Sequence, residues 1–287
     1  MEETRMIDLH MHSTVSDGSD SPAQLLERVR ETGLQAFALT DHDAIKGCAV
    51  IRGLLRERDP AFINGAEFSC RDKAGKYHIL GLGYDPGAEA IVRLIDEGHG
   101  LRMKKLFMRL DFLREKFGIV FPEEEMHWLL AQDNPGKPHI GNLMVKYGFA
   151  PTKEIAINEF INRLRIADDF LRPEQAISAI LDSGGIPVLA HPSYGDGDQL
   201  ILGEEMDRRL RRLMGFGLQG VEAFYSGFTK KITREMLDFA RRYDLYVSAG
   251  SDYHGKNKMI ALGDNGLAGA EELPEGLRRL LRDVKKQ

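Results

Sequence analysis

The sequence predicts an α/β protein built on a parallel sheet of seven strands, with an all-helical subdomain inserted into it. Three observations lead there. Short runs rich in Val, Ile, Leu and Phe recur and are followed by longer segments of helical period, the pattern of βα units. Between positions 85 and 171 that alternation stops and only helical periodicity remains. The length of 287 residues fits one α/β barrel of roughly 250 residues with an insertion as well as it fits two domains.

The strand candidates are 5–11, 36–40, 61–67, 77–83, 186–190, 220–224 and 246–250. The first helix carries its own signals: Ser21 as N-cap, Pro22 at its first position, Leu25, Leu26 and Val29 as the buried stripe, and Gly33 just past its end. The inserted helices are expected at 101–117, 122–131, 138–147 and 153–166. In the longest, Leu106, Leu110, Leu113 and Phe117 share one face, while Arg102, Lys105 and Arg109 form a basic stripe that reads as a solvated side. After the insertion, helices start near Pro173, Met206 and Lys230, and a charged helix closes the chain at 277–284. The expected organisation is a barrel of residues 1–85 and 171–287, with residues 86–170 capping its mouth.

Composition removes several classes. With 39 Lys+Arg against 44 Asp+Glu the charge is -5 and the pI near 6.0, which disfavours a surface that tracks duplex nucleic acid. No apolar run approaches the roughly 20 residues of a membrane span, and the charged start shows no secretory pattern. Cys48 and Cys70 read as reduced core thiols, so a cytoplasmic protein is expected.

Strands of a parallel sheet should be almost continuously apolar, so ionisable residues at their ends need a reason. Here nearly every strand supplies them. The first gives Asp8, His10 and His12, with Asp17 behind it; the second ends in Asp41, His42 and Asp43; the third in Glu67. The fourth carries His78, the fifth ends at His191, and the seventh in Asp252 and His254. In a barrel such ends converge on one face, where catalytic groups sit. Of nine histidines, His10, His12, His42, His78, His191 and His254 all fall at strand ends. Crowding them with carboxylates and no cation would cost several kcal/mol of unsatisfied buried polarity.

A metal cluster is the expected remedy. The spacing of His10 and His12 puts both imidazoles on one side of a strand, and Asp252 and His254 repeat that geometry. Ligands confined to nitrogen and oxygen favour Mn²⁺, Fe²⁺ or Zn²⁺. Several carboxylates suggest more than one ion, with Glu67 as the bridging candidate. A cluster of this kind activates water and clamps a phosphoryl group during in-line displacement, so phosphoester hydrolysis leads and carbon–nitrogen hydrolysis is the nearest competitor.

The motifs Asp8-Leu-His-Met-His-Ser13, Leu39-Thr-Asp-His-Asp43, Asn64-Gly-Ala-Glu-Phe68, Tyr77-His-Ile-Leu-Gly81, Leu189-Ala-His-Pro192 and Gly250-Ser-Asp-Tyr-His-Gly255 together resemble the PHP family, the polymerase and histidinol phosphatase superfamily. The resemblance implies a distorted (β/α)7 barrel and a two- or three-metal phosphoesterase. It assigns one metal to His10, His12, Glu67 and Asp252, a second to Glu67, His78 and His191, and a third to Asp17, His42 and His254. Glu67 and a hydroxide that attacks phosphorus would bridge the first two, and His254, or water on the third metal, would protonate the leaving alcohol. Asp17 stands where histidinol-phosphate members usually carry histidine, which argues against that substrate.

The helical insertion, with Gly136-Lys-Pro-His-Ile140, is more similar to the branch acting on nucleoside 5′-monophosphates, 3′,5′-bisphosphates and short RNA, whose related members open small cyclic phosphodiesters. That tripeptide usually begins with arginine, so Lys137 is a departure. Lys137 and His139 are expected to offer donors to phosphate oxygens, Tyr225 to stack on a base or sugar, and Asp41 to orient a ligand imidazole. His99 and His127 read as structural. The expected activity is hydrolysis of small phosphate esters. The alternatives are a cyclic phosphodiesterase cutting both bonds of a ribose cyclic phosphate, a short-RNA exonuclease, and a non-catalytic metal-binding module.

Overall fold

A computed structural model describes residues 6–166, 169–195, 199–269 and 272–284. Seven strands lie in sequence order in one sheet: β1 (Ile7–Asp8), β2 (Ala36–Leu39), β3 (Ala61–Asp72), β4 (Gly75–Leu82), β5 (Ile186–Leu189), β6 (Gly220–Tyr225) and β7 (Tyr246–Gly250). Each of the seven apolar runs overlaps one, although β3 and β6 run past the expected ends, β4 starts before 77 and β1 is only two residues long; Arg5, at the start of the first run, lies outside the described residues. The sheet curls until its edges meet. The Leu9 amide donates to the Ala249 carbonyl, Asp252 to His10 and His12 to Tyr253, each at 2.8 Å. The result is a distorted seven-stranded barrel, nearly closed.

One expectation fails. The recurring βα pattern predicts parallel strands, but β4 is antiparallel to both β3 and β5. Only Lys73 and Ala74 separate β3 from β4, and Gly75 takes φ +142 at the turn. A parallel crossover needs a dozen or more residues, whereas two suffice for a hairpin. The reversal matters for the site, because it brings the start of β4, and with it His78 opposite Ser69, to the mouth where neighbouring strands end.

Ten helices are described: α1 (Pro22–Thr32), α2 (Lys46–Leu54), α3 (Glu89–Phe117), α4 (Glu123–Leu130), α5 (Lys137–Lys146), α6 (Lys153–Ile155), α7 (Pro173–Asp182), α8 (Gly203–Met214), α9 (Lys230–Arg242) and α10 (Glu275–Asp283). Around α1 the capping signals hold: the Ser21 hydroxyl accepts from the Gln24 amide, and Gly33 ends the helix at φ +72. Helix α3 starts at Glu89, not at 101, because Ile91 and Leu94 pack into the barrel core. The last inserted helix stops early: α6 passes into a π turn at Ala156–Phe160 and a 3-10 turn at Ile161–Arg163.

Three hydrophobic clusters organise the molecule. Ile63, Leu80, Val188 and Val221 belong to the barrel core, and Leu25, Leu26 and Val29 of α1 pack with Phe37 and Phe62. Leu106, Leu129, Ile140, Met144 and Ile161 form a separate core among the inserted helices. No described helix is long and apolar enough to cross a membrane.

Candidate metal centre

The strand ends bring nine side chains together. Oε2 of Glu67 lies 3.4 Å from His10 Nε2 and 3.2 Å from His12 Nε2. Its Oε1 faces the other way, 2.6 Å from His78 Nδ1 and 3.0 Å from His191 Nε2. Asp252 Oδ1 is 3.5 Å from His10 Nε2 and 3.3 Å from His12 Nε2, and Asp17 Oδ1 is 3.3 Å from His254 Nε2. His42 sits between two groups, with Nδ1 3.1 Å from Glu67 Oε2 and Nε2 4.0 Å from Asp17 Oδ2. The tightest sets of converging ligand atoms are His10, His12 and Glu67; His12, Asp17 and His254; and His42, Glu67 and His78.

These residues fit metal ions on their own chemistry. Nε2 of His10 and His12, Nδ1 of His42 and Oδ1 of Asp17 are buried without a hydrogen-bond partner. Such orphaned atoms are costly unless a cation takes them up. Burial pushes His42 down to about 4 and His78 to about 3, so both offer neutral imidazole. Burial alone would raise Glu67, yet the His10 imidazole against it, itself raised by its carboxylate neighbours, holds its carboxyl well below the usual range. His42, His78 and Glu67 thus stand in their metal-binding form, whereas neighbouring carboxylates, working against burial, raise His10 and lift His12 to about 10, so a cation bound there would displace their protons. The backbone is strained around it: Asp43, His191 and Asp252 have φ of +48, +27 and +57, a cost that only an over-determined site sustains.

Partners behind the cluster fix which nitrogen faces inward. His10 Nδ1 contacts Glu222 Oε1 at 3.0 Å, and Glu222 Oε2 accepts from the His191 amide at 2.7 Å. Sequence reasoning missed Glu222, although an acidic residue inside the apolar run 220–224 was the available signal. A Cβ on Gly250 would lie 2.2 Å from the His10 Cβ and 2.4 Å from Glu222 Oε1, so glycine is required for that approach. His254 Nδ1 lies 2.8 Å from the Asp252 carbonyl, which fixes it as N–H and leaves the Nε2 lone pair toward the cluster.

Asp41 does orient other groups, though not its neighbour His42. It accepts from Ser16 Oγ at 2.7 Å, and Ser16 Oγ stands 3.4 Å from His12 Nδ1, so its reach is toward His12. Tyr225 is buried, its hydroxyl donating to Asp252 Oδ2 at 2.9 Å, and its ring is not open for stacking. His139 accepts the Gly136 amide at 3.1 Å, which makes it a cap of α5. Lys137 lines the cavity beside the cluster, with Nζ 2.5 Å from Asn162 Oδ1. His99 contacts Asn134, whose side-chain amide donates to the His42 carbonyl.

That cavity, about 740 Å³, opens from Asp17, His42 and His78 onto a cationic wall. Arg71, Lys76, Arg102, Lys105, Arg109 and Arg165 line it. The expectation of a solvated basic stripe on α3 is therefore corrected: Lys105 is only 6% exposed and Arg109 8%. The basic stripe runs beside the apolar one on the helix, and Arg102, Lys105 and Arg109 line the cavity. Arg102 pairs with Asp43 at 3.0 Å, and Lys105 Nζ lies 3.8 Å over the Phe170 ring. Burial pushes Lys105 down to about 7, against the pull of Asp43. Cations this buried, beside a cluster of ionisable ligands, make the cavity a candidate site for an anion.

The chain is similar to several phosphoester hydrolases. The chain is 32% identical over 256 residues to a phosphoribosyl 1,2-cyclic phosphate 1,2-diphosphodiesterase of Eggerthella lenta, covering 87% of this chain and 94% of that protein. It is 27% identical to a 3′,5′-nucleoside bisphosphate phosphatase of Chromobacterium violaceum, over 97% and 96% of the two chains. It is 30% identical to a 5′-3′ exoribonuclease of Haemophilus influenzae, over 91% and 94%. Among solved structures, a Bifidobacterium adolescentis protein assigned as a metal-dependent phosphoesterase superposes with a TM-score of 0.80 at 27% identity, covering 98% and 97%. The PHP domain model matches residues 8–283, and the chain belongs to the PHP domain family.

Proposed function

We propose that this chain, a hydrolase of phosphoester bonds, removes phosphate from small esters of the nucleoside monophosphate or 3′,5′-bisphosphate type. The scissile group sits at the histidine–carboxylate cluster and a second anionic group of the substrate occupies the cationic cavity. The observation that carries this reading is the juxtaposition of the two: Asp17, His42 and His78 line the cavity that Lys105 and Arg109 face.

His10, His12, Glu67 and Asp252 would hold a first divalent ion, Glu67, His78 and His191 a second, and Asp17, His42 and His254 a third. Glu67 suits a bridging place because its two oxygens already address different imidazole sets. Divalent ions bound there would polarise the phosphoryl oxygens and bring water to its nucleophilic form near neutral pH. Among the chain's own groups, Glu222 and the Asp252 carbonyl hold His10 and His254 in the tautomer that turns Nε2 inward. His254 thereby presents Nε2 to the Asp17 side of the cluster, 3.3 Å from Asp17 Oδ1, where it would serve the third ion. Lys137, at the start of α5, and Lys105 supply point charges to the substrate's oxygens. The inserted helices wall the cavity, which excludes long or duplex chains and favours ligands of a few nucleotides at most.

A specific observation keeps a second reading: the Eggerthella lenta relative is named for a cyclic phosphodiester. Phosphate release by the Mn²⁺-reconstituted protein separates the two. The panel is adenosine 5′-monophosphate, adenosine 3′,5′-bisphosphate, histidinol phosphate and a five-membered ribose cyclic phosphate. The bisphosphate is expected to give the highest kcat/KM. Turnover of the cyclic ester alone would transfer the function to the second reading, and turnover of none would remove both.

A further inference from the structure

The carboxylate of Asp252 is divided between two environments. Oδ1 faces the cluster, 3.3 Å from His12 Nε2 and 3.4 Å from His254 Nδ1. Oδ2 points away and takes two donors, the Tyr225 hydroxyl at 2.9 Å and Lys258 Nζ at 2.5 Å, which are themselves 3.1 Å apart. The Lys258 side chain is 32% exposed, and several contacts hold the turn that presents it. The Asn257 side-chain amide donates to the Asp17 carbonyl at 2.9 Å, Lys153 Nζ of α6 to the Asn257 carbonyl at 2.5 Å, and the Lys256 amide to Ser19 Oγ at 2.7 Å. A surface lysine would need no such scaffold.

We infer that Lys258, acting with Tyr225 through Oδ2 of Asp252, is a positioning residue of the metal centre that commits Asp252 to offer a single oxygen to the cluster. The inference rests on the metal-centre reading above. Asp252 sits at φ +57, where an L-residue is strained, and its amide is already spent on the His10 carbonyl. Nothing in the backbone then fixes the rotation of its carboxylate; the two donors do. Without them a buried oxygen would be left without a partner, and the group would turn to recover one at the expense of Oδ1. Outer partners of metal ligands act this way in general, and their loss typically weakens metal affinity 10- to 100-fold.

The test uses the full chain with Lys258→Met, Lys258→Arg and Tyr225→Phe. Mn²⁺ binding is measured by titration and by metal content after dialysis, alongside kcat and KM for adenosine 3′,5′-bisphosphate at saturating Mn²⁺. Lys258→Met should weaken Mn²⁺ binding roughly tenfold or more and leave KM unchanged at saturating Mn²⁺. Lys258→Arg, which keeps charge and donor, should recover most of that affinity, and Tyr225→Phe should lose less than Lys258→Met. Unchanged or tighter Mn²⁺ binding in Lys258→Met overturns the inference, whether KM rises, which would make Lys258 a substrate contact, or only the melting temperature falls. Failure of the unaltered chain to bind Mn²⁺ would instead remove the metal-centre reading beneath it.

Discussion

Replacing Lys105 by Met separates a binding role from a structural one, because the two predict opposite signs for stability. The ammonium lies among Asp43, Arg102, Arg109 and Lys76, 3.8 Å from the Phe170 ring, and its pKa falls from 10.5 to about 7. Because folding lowers this pKa, the folded state carries a penalty that is full below about pH 7 and fades as pH rises toward 10.5. At about 1.4 kcal/mol per unit the penalty at neutral pH is on the order of 4 kcal/mol, and water in the adjoining cavity screens roughly half of it. Met fills similar volume and keeps a sulfur contact to Phe170. The variant should therefore gain about 2 kcal/mol, roughly 4 °C in melting temperature, with the gain shrinking at alkaline pH.

Binding should move the other way. A charge-assisted hydrogen bond to phosphate contributes about 1.5–3 kcal/mol, so KM for the bisphosphate should rise roughly 10- to 100-fold with little change in kcat. In the unaltered protein KM should climb above pH 7 as Lys105 loses its proton, and Lys105→Met should flatten that limb. Thermal melting and steady-state phosphate release at pH 6.5 and 8.5 read both effects. A more stable variant with unchanged KM would show that the cavity is not a substrate site, and a less stable one would refute the burial argument itself.

Glu67→Gln keeps shape but removes the charge that two imidazole sets share. It should lower both metal content and turnover at least 100-fold, measured by elemental analysis and phosphate release. Asp17→Asn should lower bound metal by one ion per chain, and full occupancy would make Asp17 a bystander. Lys137→Ala should raise KM for a phosphomonoester about tenfold, and an unchanged kcat/KM would remove the start of α5 from substrate binding.

The ligand residues were legible because burial makes them anomalous: an imidazole or carboxylate ending an apolar strand is conspicuous whatever the fold. The direction of β4 was less so, because apolar runs look alike in either sense, and only the short link at Lys73 and Ala74 betrayed the hairpin. Glu222 escaped attention because it lies inside a strand and not at its end, with its partner His10 more than two hundred residues away in sequence. The burial of Lys105 and Arg109 is hidden from the sequence for a different reason. Helical periodicity tells which residues share a face, but not that a polar face meets a cavity. His139 and Tyr225 show the same limit, since a ring near a site in sequence can be spent on a cap or on a ligand's far oxygen.

The charge distribution explains why an acidic chain can serve an anionic substrate. The ligand carboxylates of Asp17, Glu67 and Asp252 are buried together, while the cations of α3 stand against the opposite wall of the cavity. Contact between the halves is limited by Asp43, which accepts Arg102 on one oxygen and the Ser69 amide at 3.0 Å on the other. Cations would balance the first half and a substrate's phosphates the second, so each makes the other's binding easier: the ions attract the phosphoryl group, and the anion relieves the repulsion among Arg102, Lys105 and Arg109. Net charge averages this separation away, which is why -5 for the whole chain says little about the sign of the field at its mouth.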